Sequence, residues 1–442
     1  MKTRCIAFVA ALGLASAWPA AADYCSTDTV PAATLLLPYF EVDLDDPAGQ
    51  TTLFSVNNAL DTAGLAKVTL WSDWGVPTLA FNVYLTGYDV QTFNLRDVFN
   101  GVLPRTASDG QDPTDTISPQ GVLSQDINIA SCATTLPLPS VLPTVLVQYM
   151  RDVHTGRTSS TVAPGKCYSH RYPDGHARGY VTVDAVRACD VDFPSAPGFF
   201  DDIAVRENRF WGTVTYIDPA NNSAQQESLV HIEACHDAEG AAEPGSEQCP
   251  GGDDTPYTFY GRLVGFNGTD GREPLSSIFS TSYLNGGAFS GGTELIVWRD
   301  TKVPVEQSFT NTNCTAPVLP PWAPLDQREV VTFDEEENPE TFCLSPNVLP
   351  PSPFSGKCFP YATQKVPVGP GDGSFPGDTL TPTSPFGWLQ LDLNHGSPSS
   401  PQGQRAQAWV MSVSSASGRY STAVDAVRLD SACDATLRPT LE

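Results

Sequence analysis

The segment His170-Arg-Tyr-Pro-Asp174-Gly-His176 places two imidazoles on either side of a carboxylate. These are residue types that bind a transition metal, although the spacing matches no metal motif and Pro173, Asp174 and Gly175 also suit a surface turn. Asp43, Asp45 and Asp46 in VDLDDPAG offer oxygens to calcium, as do Asp253 with Asp254, and Asp334 with Glu335, Glu336 and Glu337. Calcium takes six to eight oxygens, so each group supplies only part of a cage, and none has EF-hand spacing. No organic cofactor is expected; a structural calcium is the one metal these turns would serve, with Asp43, Asp45 and Asp46 as candidate ligands. Catalytic residues are not identified. There is no Gly-x-Ser-x-Gly and no Cys-x-x-Cys, and Gly369 to Gly373 (GPGDG) lacks the Lys-Ser/Thr of a phosphate loop. A glycosidase needs two carboxylates, but with 50 Asp and Glu their abundance decides nothing. Trp71, Trp74, Tyr84 and Tyr88 would stack on sugar rings if exposed; their place in strand-like sequence favours a core.

The elements that hold these residues are expected to fold after export. Lys2 and Arg4 precede the apolar stretch Cys5 to Trp18, and Ala20-x-Ala22 is a cleavage site, so residues 1–22 read as a signal peptide. No later stretch is long and apolar enough to span a bilayer. After Cys5 leaves with the signal, ten cysteines remain as disulfide candidates: Cys25, Cys132, Cys167, Cys189, Cys235, Cys249, Cys314, Cys343, Cys358 and Cys433. Spread along an exported chain, they imply bridges in a periplasmic or extracellular protein. The net charge of −26 repels nucleic acid and anionic membranes and favours a solvated surface.

Strand signals dominate. Leu53 to Val56, Lys67 to Leu70, Phe81 to Leu85, Tyr180 to Val183 and Leu389 to Leu393 read as strands, the last four with the period of two expected of half-buried antiparallel strands. Leu142, Val145, Leu146, Tyr149, Met150 and Val153 predict one helix over about 143–154, closed by Gly156. The Pro-rich stretches Ala316 to Pro324, Ser345 to Gly356 and Pro367 to Phe386 read as long loops. The two halves echo each other in order: Gly49 to Phe54 with Gly291 to Ile296, Gly179 to Asp184 with Gly387 to Asp392, and Trp211 to Cys235 with Trp409 to Cys433. Val183 to Arg187 also recurs as Val424 to Arg428, in a register that conflicts with the others. The ordered set predicts a first sandwich over 23–235, an acidic linker over 236–256 and a repeated sandwich over 257–442.

Leu70 to Phe99, Ala177 to Val186 (ARGYVTVDAV), Pro219 to Ala234 (PANNSAQQESLVHIEA) and Asn285 to Asp300 (NGGAFSGGTELIVWRD) resemble a group of uncharacterised secreted bacterial proteins with no assigned activity. The likeness covers Leu35 to Asp300 and implies an immunoglobulin-like fold. The expected architecture is all-β: two tandem immunoglobulin-like antiparallel sandwiches with one short helix, held by disulfides. The leading function is a non-catalytic surface or extracellular module that binds a protein or glycan, or serves as a scaffold. The alternatives are a secreted hydrolase acting on polysaccharide or protein, and a passive structural component of the cell envelope.

Overall fold

The run TLLLPYFEV forms strand β1 (Thr34–Val42), and all nine residues are buried. A strand covered on both faces reads as a continuous apolar run rather than an alternation. The cause of this two-sided burial is the stacking of four sheets. The structure, a computed structural model, describes residues 30–104, 142–234, 258–264, 269–301, 314, 325–343, 358–369, 380–394, 406–416 and 419–430. Residues 1–22, residues 236–256 (with Asp253 and Asp254), and Cys25, Cys132, Cys235, Cys249 and Cys433 lie outside them.

Sheet I contains β1, β3 (Gly64–Trp71), β4 (Pro77–Leu85), β6 (Ala177–Val186) and β10 (Val230–Ile232), in the order β10-β1-β6-β3-β4. Sheet II contains β2 (Thr51–Asn58), β5 (Val90–Asn94), β8 (Thr213–Asp218) and β9 (Ser223–Ser228), in the order β5-β2-β8-β9, with β7 (Phe210–Trp211) also on β2. In the second half, sheet III contains β12 (Gly292–Arg299), β15 (Thr363–Val368), β17 (Ala408–Ala416) and β18 (Tyr420–Asp425), in the order β15-β12-β17-β18. Sheet IV contains β11 (Ile278–Leu284), β13 (Glu329–Phe333), β14 (Pro339–Phe342), β16 (Phe386–Asp392) and β19 (Val427–Arg428), in the order β14-β13-β16-β11-β19. Strand for strand, sheet IV has the order of sheet I, and sheet III has the order of sheet II.

Three apolar cores define the stack. Leu35, Leu37, Phe54, Val68, Val181 and Val214 fill the space between sheets I and II. Phe279, Leu295, Val330, Val366 and Leu389 fill that between III and IV. Leu36, Trp71, Tyr180, Ile296, Trp298 and Trp409 form a third core between I and III. The layers therefore run II–I–III–IV. Tyr180 and Thr182, read from the sequence as the wet side of a half-buried strand, are covered by sheet III. Pro38 is tolerated in β1 because it falls in a bulge between Leu37 and Phe40, beyond the stretch paired with β10.

The helix expected over 143–154 forms as α2 (Thr144–His154), following the short α1 (Leu95–Phe99). Pro143 stands at its start, and Gly156, at φ +65°, turns the chain away after it. The stretch from Pro367 is corrected in part. Pro367 lies within β15, which is an edge strand of sheet III and can spare the lost donor. Of the cysteines described, Cys167 bridges Cys314 and Cys343 bridges Cys358, with Cα atoms 5.4 and 5.5 Å apart. Cys189 is also disulfide-bonded. The 167–314 bridge joins the two halves and spans 147 residues, which contributes roughly 5 kcal/mol in the chain-entropy account.

One echo needs a register correction. Phe54 pairs with Val214 and Leu295 with Ser412, and Trp211 and Trp409 pair with Asn57 and Trp298. Pairing thus aligns Phe54 with Leu295, not with Ile296. A one-residue slip exchanges the two faces of a strand, and only this register keeps Phe54 and Leu295 both in their cores. Val183–Arg187 starts in β6 whereas Val424–Arg428 runs from β18 into β19, so that match is not a structural one. Gly179 and Gly387 do correspond. A Cβ on either would sit 2.0 Å from a carbonyl oxygen of the neighbouring strand, that of Trp71 or Phe333. Gly179→Ala and Gly387→Ala should each destabilise by about 1–3 kcal/mol through overpacking, where the loss of glycine entropy alone would stabilise. Urea unfolding measures this, and unchanged midpoints would refute the close approach.

Candidate functional site

The sequence candidates at Asp43 and at Asp174 and His176 converge on one place. β1 and β6 run antiparallel so that Glu41 lies opposite Arg178, on the side of sheet I that meets sheet III. One Glu41 oxygen accepts from Arg178 and from His176 Nδ1 at 3.0 Å. The other accepts from Tyr39 Oη at 2.8 Å, Gln50 Nε2 at 3.1 Å and Lys365 Nζ at 3.0 Å. Asp174 grips the same guanidinium, with Arg178 Nη1 donating at 2.7 Å, and the guanidinium lies 4.1 Å over the Tyr172 ring. His176 Nε2 is 3.8 Å from Asp43, and Lys365 Nζ is 3.7 Å from Glu294.

Glu41, Asp174 and His176 offer ligand atoms within 4.8 Å of one another, a donor set that a divalent cation would accept. Two protein cations already occupy it. Arg178 and Lys365 between them engage both Glu41 oxygens, and Arg178 engages both Asp174 oxygens. A metal would have to expel groups tethered to β6 and β15. The arrangement fits an ion-pair cluster better than a metal centre. Burial alone would raise the Glu41 pKa, but Lys365 and Arg178 outweigh it and hold the carboxyl well below its usual range. The hydrogen bond to Glu41 raises that of His176.

The other sequence candidates go elsewhere. His170 does not join His176: its Nδ1 is 2.9 Å from Tyr361 Oη, the two rings stack, and its backbone N–H donates to Asp73 at 3.1 Å. Asp43 accepts from the backbone N–H groups of Asp45 and Asp46 at 2.9 and 3.0 Å, which closes a turn, and Asp45 is exposed. Asp334 does the same in the β13–β14 hairpin, accepting from Glu336 and Asn338. Trp71, Trp74 and Tyr84 are buried; Tyr88 is exposed.

Sequence reading missed the buried polar partners. Asp184 in β6 accepts from Thr34 Oγ1 at 2.6 Å and Tyr260 Oη at 2.9 Å, with Arg272 at 3.7 Å. Asp73 is buried, its pKa is pushed up to about 8 by desolvation, and its carbonyl accepts from Ala362 of the second half at 2.8 Å. The available signal was a lone charge inside an apolar strand, as with Glu41 in TLLLPYFEV and Asp184 in GYVTVDAV. Asp174 is the exposed edge of the Glu41 cluster and His176 is half-buried, and the hollow beside Trp71, Tyr180 and Trp298 in the I–III seam measures about 30 Å³, room for about one water. Two larger hollows, about 340 and 460 Å³, share Arg187 and Glu207. Their arginines, Arg187, Arg206 and Arg209, each already donate to a backbone carbonyl.

No family model matches the chain, and neither a curated protein nor a solved structure does.

Two outcomes are expected. Glu41→Leu leaves Arg178 and Lys365 facing each other in the seam and should cost about 3–5 kcal/mol; replacing the set together (Glu41→Leu, Arg178→Phe, Lys365→Thr) should recover most of it. Denaturant unfolding of the single and triple variants checks this, and a triple variant weaker than the single contradicts it. The second concerns pH. The folded pKa of Asp73 lies above its unfolded value of about 3.9, so its contribution is fully present below about pH 4 and is lost as pH rises through about 8. His154 and His170, both pulled down to about 4 by burial, contribute above about pH 6.5 and lose it as pH falls through about 4. Asp73→Asn should therefore remove a decline of at most about 1.4 kcal/mol per pH unit between about pH 4 and 8. Parallel profiles for the variant and the parent protein would contradict it.

Proposed function

We propose that the chain is an exported, non-catalytic module that fuses two immunoglobulin-like sandwiches into one stack and presents the outer face of sheet IV to a partner. The disulfides at Cys167, Cys189, Cys314, Cys343 and Cys358 support an oxidising compartment, periplasmic or extracellular. No helix among the described residues is long and apolar enough to cross a membrane. The strand order supports the immunoglobulin-like reading. β10-β1-β6-β3 stands as A-B-E-D does in that fold, and β5-β2-β8-β9 as C′-C-F-G, with the last strand of the half in the place of strand A. The departure is that the chain visits β3 and β4 between the C and C′ positions. The equal strand order in III and IV supports a tandem repeat.

The observation that carries the functional reading is the outer face of sheet IV. Trp388 (57% exposed) and Phe386 (39%) stand on β16, Leu284 faces Phe386 from β11, and Val427 (60%) extends the patch on β19. A cluster of large apolar side chains on neighbouring strands marks an interaction site, with the aromatics as anchors. The densest buried charge cluster, by contrast, is consumed in joining the halves.

The test is thermal unfolding against calcium, a chelator, saccharides and candidate protein partners. A ligand of the native state raises the midpoint by mass action. The expected result is a rise that disappears in a Phe386→Ser, Trp388→Ser variant whose own stability changes by no more than about 0.5 kcal/mol per site. A ligand whose effect survives both substitutions, or turnover of a polysaccharide or peptide, would overturn the reading.

A further inference from the structure

We infer that the partner of sheet IV is sheet II of a second copy, so that chains add head to tail; this rests on sheet IV being the binding face. The seam inside the chain joins the outer face of a sheet of order β10-β1-β6-β3-β4 to that of a sheet of order β15-β12-β17-β18. Sheet IV repeats the first order and sheet II repeats the second, and among the described residues each carries exposed large side chains on its outer face, Trp388 and Val427 on sheet IV and Trp211 beside sheet II. The chain thus ends in the two halves of a contact that it already makes once internally.

Residue registers carry the correspondence further. Tyr180 lies opposite Trp71 as Trp388 lies opposite Phe333. Val230 pairs with Leu36 as Val427 pairs with Ser280. Tyr180 and Val230 are buried in the seam, while Trp388 and Val427 are exposed on sheet IV. On the opposite surface, Trp211 (43% exposed) holds the place of Trp409, which is buried in the seam.

The charges change together. The seam matches Glu41 of β1 with Lys365 and, behind it, Glu294 of sheet III. Leu284 stands on sheet IV where Glu41 stands on sheet I, and Phe386 where Arg178 stands. On sheet II, Thr92 holds the place of Lys365 and Leu53 that of Glu294. Both faces lack the Glu41, Arg178, Lys365 and Glu294 charges at these points, and the carboxylates left on that side of sheet IV, Glu329 and Asp392, lie opposite each other at the far end of β16, with Asp392 3.9 Å from Arg328. A contact between two different faces does not close on itself at two copies and produces open chains or rings.

Sedimentation of the full chain, from low to high micromolar, tests this with Trp388→Lys and Trp211→Lys. The unsubstituted protein should gain mass with concentration beyond a dimer. Each single variant should remain a monomer by itself. Their mixture should give one-to-one dimers and nothing larger, because only one live pair of faces remains. Phe386→Lys and Thr92→Lys form a second pair should either tryptophan variant fail to keep the parent's thermal midpoint. An unsubstituted protein that stays monomeric throughout would overturn the inference, yet leave the proposed function standing if a different ligand still responds to Trp388. Association that ignores Trp211→Lys would also overturn it, by showing that sheet IV pairs with itself.

Discussion

Burial of sheet I on both faces is the constraint on which the rest depends. Its central strands β1 and β6 carry Glu41, Arg178 and Asp184, and none of these reaches open solvent. A buried charge must be matched where it stands. Lys365, Tyr260 and Arg272, all from beyond residue 257, provide part of that match. The second half is therefore not an appendage to the first: it supplies counter-charges as well as the apolar cover of Trp298, Trp409 and Met411. The Cys167–Cys314 bridge ties the halves covalently as well.

The stacking direction has its own consequence. Two similar sandwiches could meet through like faces, which would leave a symmetric pair. Here unlike faces meet, and the chain has two different ends. At the seam the contact is aromatic, with Trp71 and Tyr180 stacked at 5.6 Å and Tyr180 edge-on to Trp298 at 5.9 Å. Such pairs contribute about 0.5–1.5 kcal/mol each beyond the area they bury. The ends keep exposed tryptophans, Trp388 and Trp211, and have Leu284 and Phe386 where the seam has Glu41 and Arg178.

The sequence made the strands legible because period two survives wherever one face of a strand meets a core. Val181 with Val183 and Leu389 with Leu391 show it. The helix at Thr144–His154 was legible for the same reason, although Val145 faces solvent. The four-layer stack was not legible. Tyr180 and Thr182 look like a wet face because an interface between sandwiches tolerates polar and amphipathic side chains that a sandwich core would not. The register slip at Phe54 arose because Gly49, Thr51 and Leu53 match Gly291, Thr293 and Leu295 in the wrong phase, whereas over the same residues the paired register matches only Thr52 with Thr293. The convergence of Asp43, Asp174 and His176 was half visible: the residue types were singled out, but Lys365 lies 324 residues from Glu41 and only the fold brings it there.

The central claim is that the two halves form one body around the I–III seam. The most direct measurement is a protease cut within residues 236–255, followed by reduction of the disulfides and denaturant unfolding of the nicked protein. The account predicts that the pieces stay together on size exclusion and unfold in a single transition at one midpoint. Two pieces that separate while each remains folded, with midpoints of their own, would contradict it.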